Sequence, residues 1–475
     1  MKIKFCGAAQ YVTGSCHLIE LEDGFKILLD CGLFQGKGSH IWDWNNQWYF
    51  KPAEIDCLVL THAHIDHCGR IPKLVKDGYT GPIHATHATR SLCAVMLLDS
   101  AKIQEMDVQW HNERILKKRK RETFRLREPL YTSEHVGPTM VKFEGHPYDT
   151  WEQIHPNVQV IYRDAGHILG SASVALRIHE GGKETIIGFT GDIGRPNKPI
   201  LRDPQPMPDV DFLICESTYG DRVHESEPEQ SAQFLEVIRR TCIEKRGKLI
   251  IPAFSLGRTQ EIVYMLDKME NAGLLPPIKV YVDSPLAINV THILGLHPEC
   301  FDSEINEYML IDENPFGFNS LIYIKEVEGS KSLNHTDEPC IIISASGMMN
   351  AGRVKHHLFN NIEDPKNTFL MVGYCSPETP GGILRSGANI IRVFEEDKIV
   401  RADVVIMDSF SAHGDKNEMY DYIKNQKGKV KKIFLVHGEL ETQKSFKYFL
   451  QEKGFSDISI PSPGEEVYIN NSLNF

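Results

Sequence analysis

The 475-residue sequence predicts a mixed α/β fold in which a β-rich part is interrupted by a section built on a mostly parallel sheet. Short strand-like runs separated by tight turns fill the first 60 or so residues. From about residue 220 strands alternate with helices, the rhythm of a parallel sheet, and short strands return near the end.

The elements follow in order. Lys2-Ile3-Lys4-Phe5, His17-Leu18-Ile19-Glu20-Leu21 and Lys26-Ile27-Leu28-Leu29-Asp30 read as a β-meander, with Asp23-Gly24 as a hairpin turn. Asp56-Cys57-Leu58-Val59-Leu60-Thr61 is a continuous apolar run, the mark of a buried strand, and residues 69–76 read as a helix. A β-to-α switch therefore falls at residues 62–68. Residues 89–128 read as helical, ending in the basic arm Lys117-Lys118-Arg119-Lys120-Arg121 with Arg125 and Arg127 beyond it; alone, such an arm is a solvated helix face. Strands are expected at 158–162, 172–178, 185–190 and 212–215, with the proline-rich stretch 203–208 as a linker before the last. Further on, 248–251 leads through Ser255-Leu256-Gly257-Arg258 into a helix, and 341–343 leads through Ser344-Ala345-Ser346-Gly347 into another. Strand-to-helix loops of this kind offer backbone N–H groups to anions, so both are candidate phosphate sites. Strands at 404–407 and 432–436 close the chain.

Composition narrows the function class. With 41% hydrophobic and 24% charged residues the chain is neither disordered nor a coiled coil. No apolar run approaches the roughly 18 residues of a membrane helix, and Met1 leads straight into strand-like sequence without a signal-peptide profile, so a cytoplasmic protein with no membrane partner is expected. The 11 cysteines are odd in number and never spaced C-x-x-C, which predicts reduced thiols, mostly in the core. A net charge of -12 gives no support to nucleic-acid binding through bulk charge.

The 21 histidines are more telling, above all His62-Ala63-His64-Ile65-Asp66-His67, four metal-ligand side chains in six residues just after a buried strand. Nitrogen and oxygen donors at this density suit zinc. Two cations about 3.5–4 Å apart need more ligands than one loop holds, including a bridging carboxylate. His167, in the glycine-flanked Asp164-Ala165-Gly166-His167, and Asp192, in Thr190-Gly191-Asp192 at a strand end, are the candidates. Asp30 ends another apolar strand, and is expected to orient a ligating histidine.

The ordered set Asp30, His62-x-His64-x-Asp66-His67, His167 and Asp192 resembles motifs one to four of the metallo-β-lactamase superfamily. The resemblance implies an αββα sandwich with two zinc ions at one sheet edge and a bridging hydroxide. Glu216-Ser217-Thr218-Tyr219-Gly220-Asp221-Arg222, Ser409-Phe410-Ser411-Ala412-His413-Gly414-Asp415 and Leu435-Val436-His437-Gly438-Glu439 are similar to motifs A, B and C of the β-CASP RNA-processing nucleases. Pro252-Ala253-Phe254-Ser255-Leu256-Gly257-Arg258 and Ser346-Gly347-Met348-Met349 are similar to further stretches of that group. What this resemblance implies is a zinc-dependent ribonuclease akin to the nuclease subunit of the 3′-end cleavage machinery. His62, His64 and His167 would hold one Zn2+, Asp66, His67 and His437 the other, and Asp192 would bridge. His413, with Glu216, would serve the leaving group as general acid. The implied domains are 1–218, an inserted α/β β-CASP domain at 219–408, and a return to the first domain at 409–475. The expected partner is single-stranded RNA, with Arg258, Ser346 and Gly347 against its phosphates, and a homodimer is compatible with the sequence. No KH-type extension and no long C-terminal region are recognised, so a catalytic core is expected.

Two rival classes share some of these features. A small-ester, lactone or thioester hydrolase would use the same zinc ligands, but has no need of an α/β insertion as long as 219–408. An interaction protein with structural metal would favour thiolates and a closed four-ligand shell over histidine and aspartate.

Overall fold

The computed structural model describes residues 1–36, 39–117, 126–224, 230–373, 375–407 and 412–469. Most of the basic arm, with Arg125, and Ser409-Phe410-Ser411 lie outside the described residues. The chain divides into two compact units: Met1–Asn197 with Asp203–Val223 and His413–Phe475, and Lys198–Arg202 with His224–Ala412.

The first unit holds two seven-stranded sheets. One runs, edge to edge, Glu466–Tyr468, Lys2–Gly7, Cys16–Glu20, Lys26–Leu29, Cys57–Val59, Ile83–Thr86 and Phe143–His146. The other runs Ile458–Ser459, Lys432–Leu435, Phe212–Cys215, Lys183–Phe189, Ala172–Glu180, Val158–Asp164 and Glu152–His155. Their inward residues interdigitate in one core, Ile3, Phe5, Ile19, Ile27 and Leu29 meeting Val160, Val174, Leu176, Phe189, Ile214 and Phe434. The period-two alternation of strands puts these positions on one face. The outer face of the second sheet is covered by helices Lys416–Ile423 and Leu440–Glu452, whose Met419, Ile423, Phe446 and Leu450 pack on Leu213, Cys215, Ile433 and Leu435. Helix His87–Lys117 packs beside Ile83–Thr86 and Phe143–His146 of the first sheet. The layers are thus α, β, β, α.

The C-terminal stretch is stitched into this sandwich. Lys432–Leu435 pairs in parallel with Phe212–Cys215, Cys215 opposite Leu435. Phe434, fully buried, meets Phe5 across the sandwich at a ring separation of 5.1 Å. Truncating such a core phenylalanine costs about 3–5 kcal/mol.

The second unit is built on a six-stranded sheet ordered Leu321–Tyr323, Lys279–Asp283, Cys340–Ser344, Lys248–Pro252, Thr368–Met371 and Asp403–Ile406, every neighbouring pair parallel. Its central strands Lys248–Pro252 and Cys340–Ser344 are buried along their whole length and apolar but for Lys248 and Ser344 at their ends, as burial on both faces demands. All eleven cysteines are buried and none forms a disulfide. No helix among the described residues is long and apolar enough to cross a membrane.

The structure departs from the sequence expectations in places. The helix expected at 69–76 runs Ile71–Lys76, with Pro72 in its first turn where no N–H is needed, and a separate short helix, Ile65–Cys68, precedes it and ends where the Arg70 N–H turns to the Cys31 carbonyl. Residues 203–208 do not form a free linker: the Pro206 carbonyl accepts from Arg163 Nε at 3.0 Å, the Pro208 carbonyl from Gln426 Nε2 at 2.9 Å, and Met207 is buried. Arg258 opens helix Arg258–Asn271 behind Gly257, whose φ of 80° suits glycine. The helix after Ser346-Gly347, by contrast, begins only at Val354, so that loop does not open a helix directly.

Candidate metal centre

Every ligand candidate sits where a strand of the first unit ends. Asp30 follows Lys26–Leu29, His62 and His64 follow Cys57–Val59, and Asp66 and His67 lie on helix Ile65–Cys68. His167 follows Val158–Asp164, Asp192 follows Lys183–Phe189, and His437 follows Lys432–Leu435. Glycine brings the loops together: a Cβ on Gly194 would lie 1.9 Å from the Gly166 carbonyl oxygen, and one on Gly32 would lie 1.6 Å from that of Asp66. Asp30 and His437 adopt left-handed φ of 56° and 52°, a strain that the surrounding hydrogen bonds hold in place.

Two donor groups result. Ligand atoms of His62, His64, His167 and Asp192 lie within 4.8 Å of one another, as do those of Asp66, His67 and His437. Asp192, buried at the centre, divides its oxygens between them. Oδ2 lies 3.4 Å from His62 Nε2 and 3.6 Å from His167 Nε2, while Oδ1 lies 3.2 Å from His67 Nε2 and 3.7 Å from His437 Nε2. Asp66 Oδ2 lies 3.5 Å from His437 Nε2.

The hydrogen bonds behind these rings fix their tautomers. Asp30 is fully buried and its carboxylate accepts from Ser15 Oγ (3.0 Å), Thr61 N (2.9 Å), Thr61 Oγ1 (3.0 Å) and His67 Nδ1 (2.7 Å). Since His67 donates from Nδ1, its Nε2 lone pair faces the centre. With the Thr61 hydroxyl proton given to Asp30, the Thr61 oxygen accepts from His62 Nδ1 at 3.0 Å, and the His62 Nε2 lone pair faces inward as well. A second relay mirrors the first. Thr218 Oγ1 donates to Glu216 Oε2 at 2.6 Å and lies 2.9 Å from His437 Nδ1, which leaves His437 Nε2 unprotonated toward the centre. Thr61 and Thr218 were not anticipated from sequence; their only signals are adjacency to His62 and a two-residue step from Glu216.

These groups fit a bound cation pair. His64 Nδ1 lies 3.2 Å from both His62 Nε2 and His167 Nε2, and His67 Nε2 lies 3.1 Å from His437 Nε2. Lone pairs set against lone pairs at this spacing want a shared electrophile, because one proton cannot satisfy three imidazoles. Burial brings His62 and His64 down to about 4 and holds His167 low, so all three are neutral, as metal ligands must be. For Asp192 burial works upward, but the imidazoles of His437, His67 and His62 packed around it outweigh burial and keep the carboxyl well below the usual range. Burial works against a charged His67 also, yet the carboxylates of Asp192 and Asp30 raise it well above an ordinary histidine; the field here demands positive charge.

Beside the centre, His413 Nδ1 lies 3.4 Å from Glu216 Oε2 and 4.0 Å from Asp192 Oδ2. Burial lowers His413, but the Glu216 carboxylate more than offsets it and takes the ring up to about 9. Glu216 is itself fixed by the Ile193 N–H and the Thr218 hydroxyl. In the second unit, Arg258 is buried and ion-paired with Glu261. Ser346 Oγ donates to Asn350 Oδ1 at 2.8 Å, and Gly347 packs against Phe254, whose ring a Cβ there would meet at 2.9 Å.

An α, β, β, α sandwich with a histidine–aspartate centre at its strand ends defines a metallo-hydrolase. Comparison with known families agrees: the metallo-beta-lactamase superfamily model matches residues 11–222, the Beta-Casp domain residues 259–384, and the Zn-dependent metallo-hydrolase RNA specificity domain residues 398–461. A ribonuclease of Thermus thermophilus is 34% identical over 98% of this chain and 100% of its own length. An RNase J-like protein of Methanocaldococcus jannaschii is 33% identical over 94% of each chain. Cleavage and polyadenylation specificity factor 73 of Drosophila melanogaster is 29% identical over 97% of this chain and 63% of its own. The chain belongs to the β-CASP nuclease family of the metallo-β-lactamase superfamily.

Proposed function

We propose that the protein is a zinc-dependent ribonuclease that hydrolyses phosphodiester bonds of single-stranded RNA. The observation that carries the reading is the division of Asp192 between two complete donor groups, Oδ2 toward His62 and His167 and Oδ1 toward His67 and His437. His62, His64 and His167 would hold one Zn2+, Asp66, His67 and His437 the second, and Asp192 both. When bound, the two ions supply a hydroxide nucleophile at neutral pH and neutralise the phosphoryl oxygens.

The protein's own residues do the rest. Asp30 and Glu216, through Thr61 and Thr218, keep the histidines in one tautomer and orientation. His413, held by Glu216 at 3.4 Å, gives its proton to the leaving oxygen, and Glu216 stabilises the imidazolium before transfer. We assign residues 1–218 and 409–475 to the catalytic domain and 219–408 to the β-CASP insertion. The loops at Arg258 and Ser346-Gly347 are proposed as phosphate contacts; the Arg258 side chain is engaged by Glu261 and the Arg258 and Ser346 N–H groups bond the Leu256 and Ala351 carbonyls, so a phosphate would have to displace these contacts.

The test pairs elemental analysis with digestion of 5′-labelled and 3′-labelled single-stranded RNA. Two zinc ions per chain and metal-dependent cleavage are expected; product lengths give the endonucleolytic or 5′-exonucleolytic mode. Turnover of esters or lactones without RNA cleavage would replace this reading with that of a small-molecule hydrolase.

A further inference from the structure

A cavity of about 330 Å³ in the first unit is lined by Tyr11, Phe34, Trp44 and Trp48, with Arg70 and Ala8 also in its wall. Its size is that of a ligand pocket, and six of its fourteen lining residues are aromatic. The Phe34 and Trp44 rings meet at 5.4 Å, as do those of Tyr11 and Trp44. Trp44 is nevertheless 40% exposed, a large aromatic left in water on an open pocket.

Arg70 supplies the second, independent observation. It is only 2% exposed, and its guanidinium lies over the Phe34 ring at 5.0 Å and the Trp48 ring at 4.7 Å. Nε donates to the Gly32 carbonyl at 2.6 Å, and Nη1 makes long contacts to the carbonyls of Trp44 (3.3 Å) and Gln47 (3.4 Å). Nη2 donates to no described residue, and no described carboxylate pairs with this cation. A guanidinium set among aromatic rings, with Nη2 unused by the described residues, suits a planar ligand with an apolar face and an acceptor edge.

The cavity adjoins the metal centre through the backbone. Ala8 lines it, and the Ala8 carbonyl accepts from the His437 N–H at 2.7 Å. We propose that this cavity is a nucleobase pocket: it takes one unstacked base, its face on the aromatic walls and its acceptor edge on Arg70 Nη2. A guanine edge, with O6 and N7, presents the strongest acceptors for arginine. A phosphate would have to shed its water among aromatic rings for a single cation, whereas a base has a π-face that those rings stack on. The identification of the base as part of a substrate strand rests on the proposed ribonuclease function; the pocket itself does not.

The experiment uses the zinc-loaded full chain and short single-stranded RNAs carrying one abasic riboside at successive positions. One position is expected at which loss of the base lowers kcat/KM about 5- to 150-fold, the range of one base–aromatic stack. Trp44→Ala should lower kcat/KM by a similar factor on the intact strand, Trp44→Phe should restore most of it, and the losses from Trp44→Ala and the abasic site should not multiply, because both delete one contact. A flat abasic scan together with full activity of Trp44→Ala, or losses that multiply, would overturn the strand-base assignment. A second arm titrates 5′-GMP against intrinsic tryptophan fluorescence. Saturable quenching that Trp44→Ala reduces, with a flat scan, identifies a free nucleotide as the occupant; no quenching and a flat scan reject the pocket. If wild-type protein cleaves no RNA, the proposed function fails, while the quenching arm still decides the pocket.

Discussion

Asp30→Asn isolates what the buried carboxylate does for the centre. Its geometry fixes which way an amide must lie. One carboxylate oxygen accepts from the Thr61 backbone N–H, the other from His67 Nδ1 and the Ser15 hydroxyl. The backbone N–H cannot turn away, so the asparagine oxygen takes its place opposite Thr61 N and the NH2 faces His67. The imidazole must then move its proton to Nε2, the atom that faces Asp192 and His437, and can no longer offer a lone pair there. Loss of such an orienting partner typically costs 10–100-fold in metal affinity, or about 1.4–2.7 kcal/mol. The fold should suffer little, since the φ of 56° at residue 30 is one asparagine tolerates. Asp30→Ala is the contrasting control: it strands the Thr61, Ser15 and His67 donors in a fully buried site and adds a left-handed alanine, so destabilisation of about 3–5 kcal/mol is expected. Competition with a calibrated chelator gives the affinity of each zinc, and urea unfolding of chelator-treated protein gives the stability. Wild-type affinity at both sites in Asp30→Asn would show that the carboxylate does not set the His67 tautomer.

Further outcomes are expected at other positions. Asp192→Ala should leave less than two zinc ions per chain and no measurable cleavage, with far-UV circular dichroism unchanged; an active variant would remove the bridging role. His413→Ala should lower kcat about 10²- to 10⁴-fold at full zinc content, and the loss should shrink on a substrate with a good leaving group, checked by parallel kinetics on the two substrates. In the second unit burial raises Asp267 from 3.8 to about 6, with the Tyr308 hydroxyl (2.6 Å) and a long contact from Asn271 (3.5 Å) as its hydrogen-bond partners among the described residues. The stability this group contributes is full below pH 3.8 and lost as pH rises through 6; Asp267→Asn should therefore raise stability at pH 7.5 by about 2–3 kcal/mol and change little at low pH, read as urea midpoints at the two pH values. Gly194→Ala would drive a Cβ into the Gly166 carbonyl at 1.9 Å and displace the His167 loop, so weakened binding of one zinc without global unfolding is expected by chelator competition.

The α/β class and the change of rhythm near residue 220 were legible in the sequence because both rest on local apolar periodicity. Short strands with polar residues were not: Ile83–Thr86, Phe143–His146 and Glu152–His155 owe their pairing to neighbours in the sheet. In the centre, the density of donors from His62 to His67 stands out in the sequence alone. Asp192 could be placed at a strand end, but the opposite orientation of its two oxygens exists only once four loops have met. The hydroxyl relays were beyond reach for the same reason.

Those relays also explain why the centre is spread along so much chain. A histidine can point either nitrogen at a cation, and only a partner on its far side decides which. Asp30 decides for His67 directly and for His62 through Thr61, and Glu216 decides for His437 through Thr218. His437 lies 219 residues beyond Thr218, so its tautomer is set only when Lys432–Leu435 has paired with Phe212–Cys215. Sandwich closure and assembly of the second donor group are thus one event. A substitution that loosens this strand pair, such as Phe434→Ala, should therefore weaken zinc binding at the His437 side before it affects the His62, His64 and His167 group, whose loops belong to strands that pair without it.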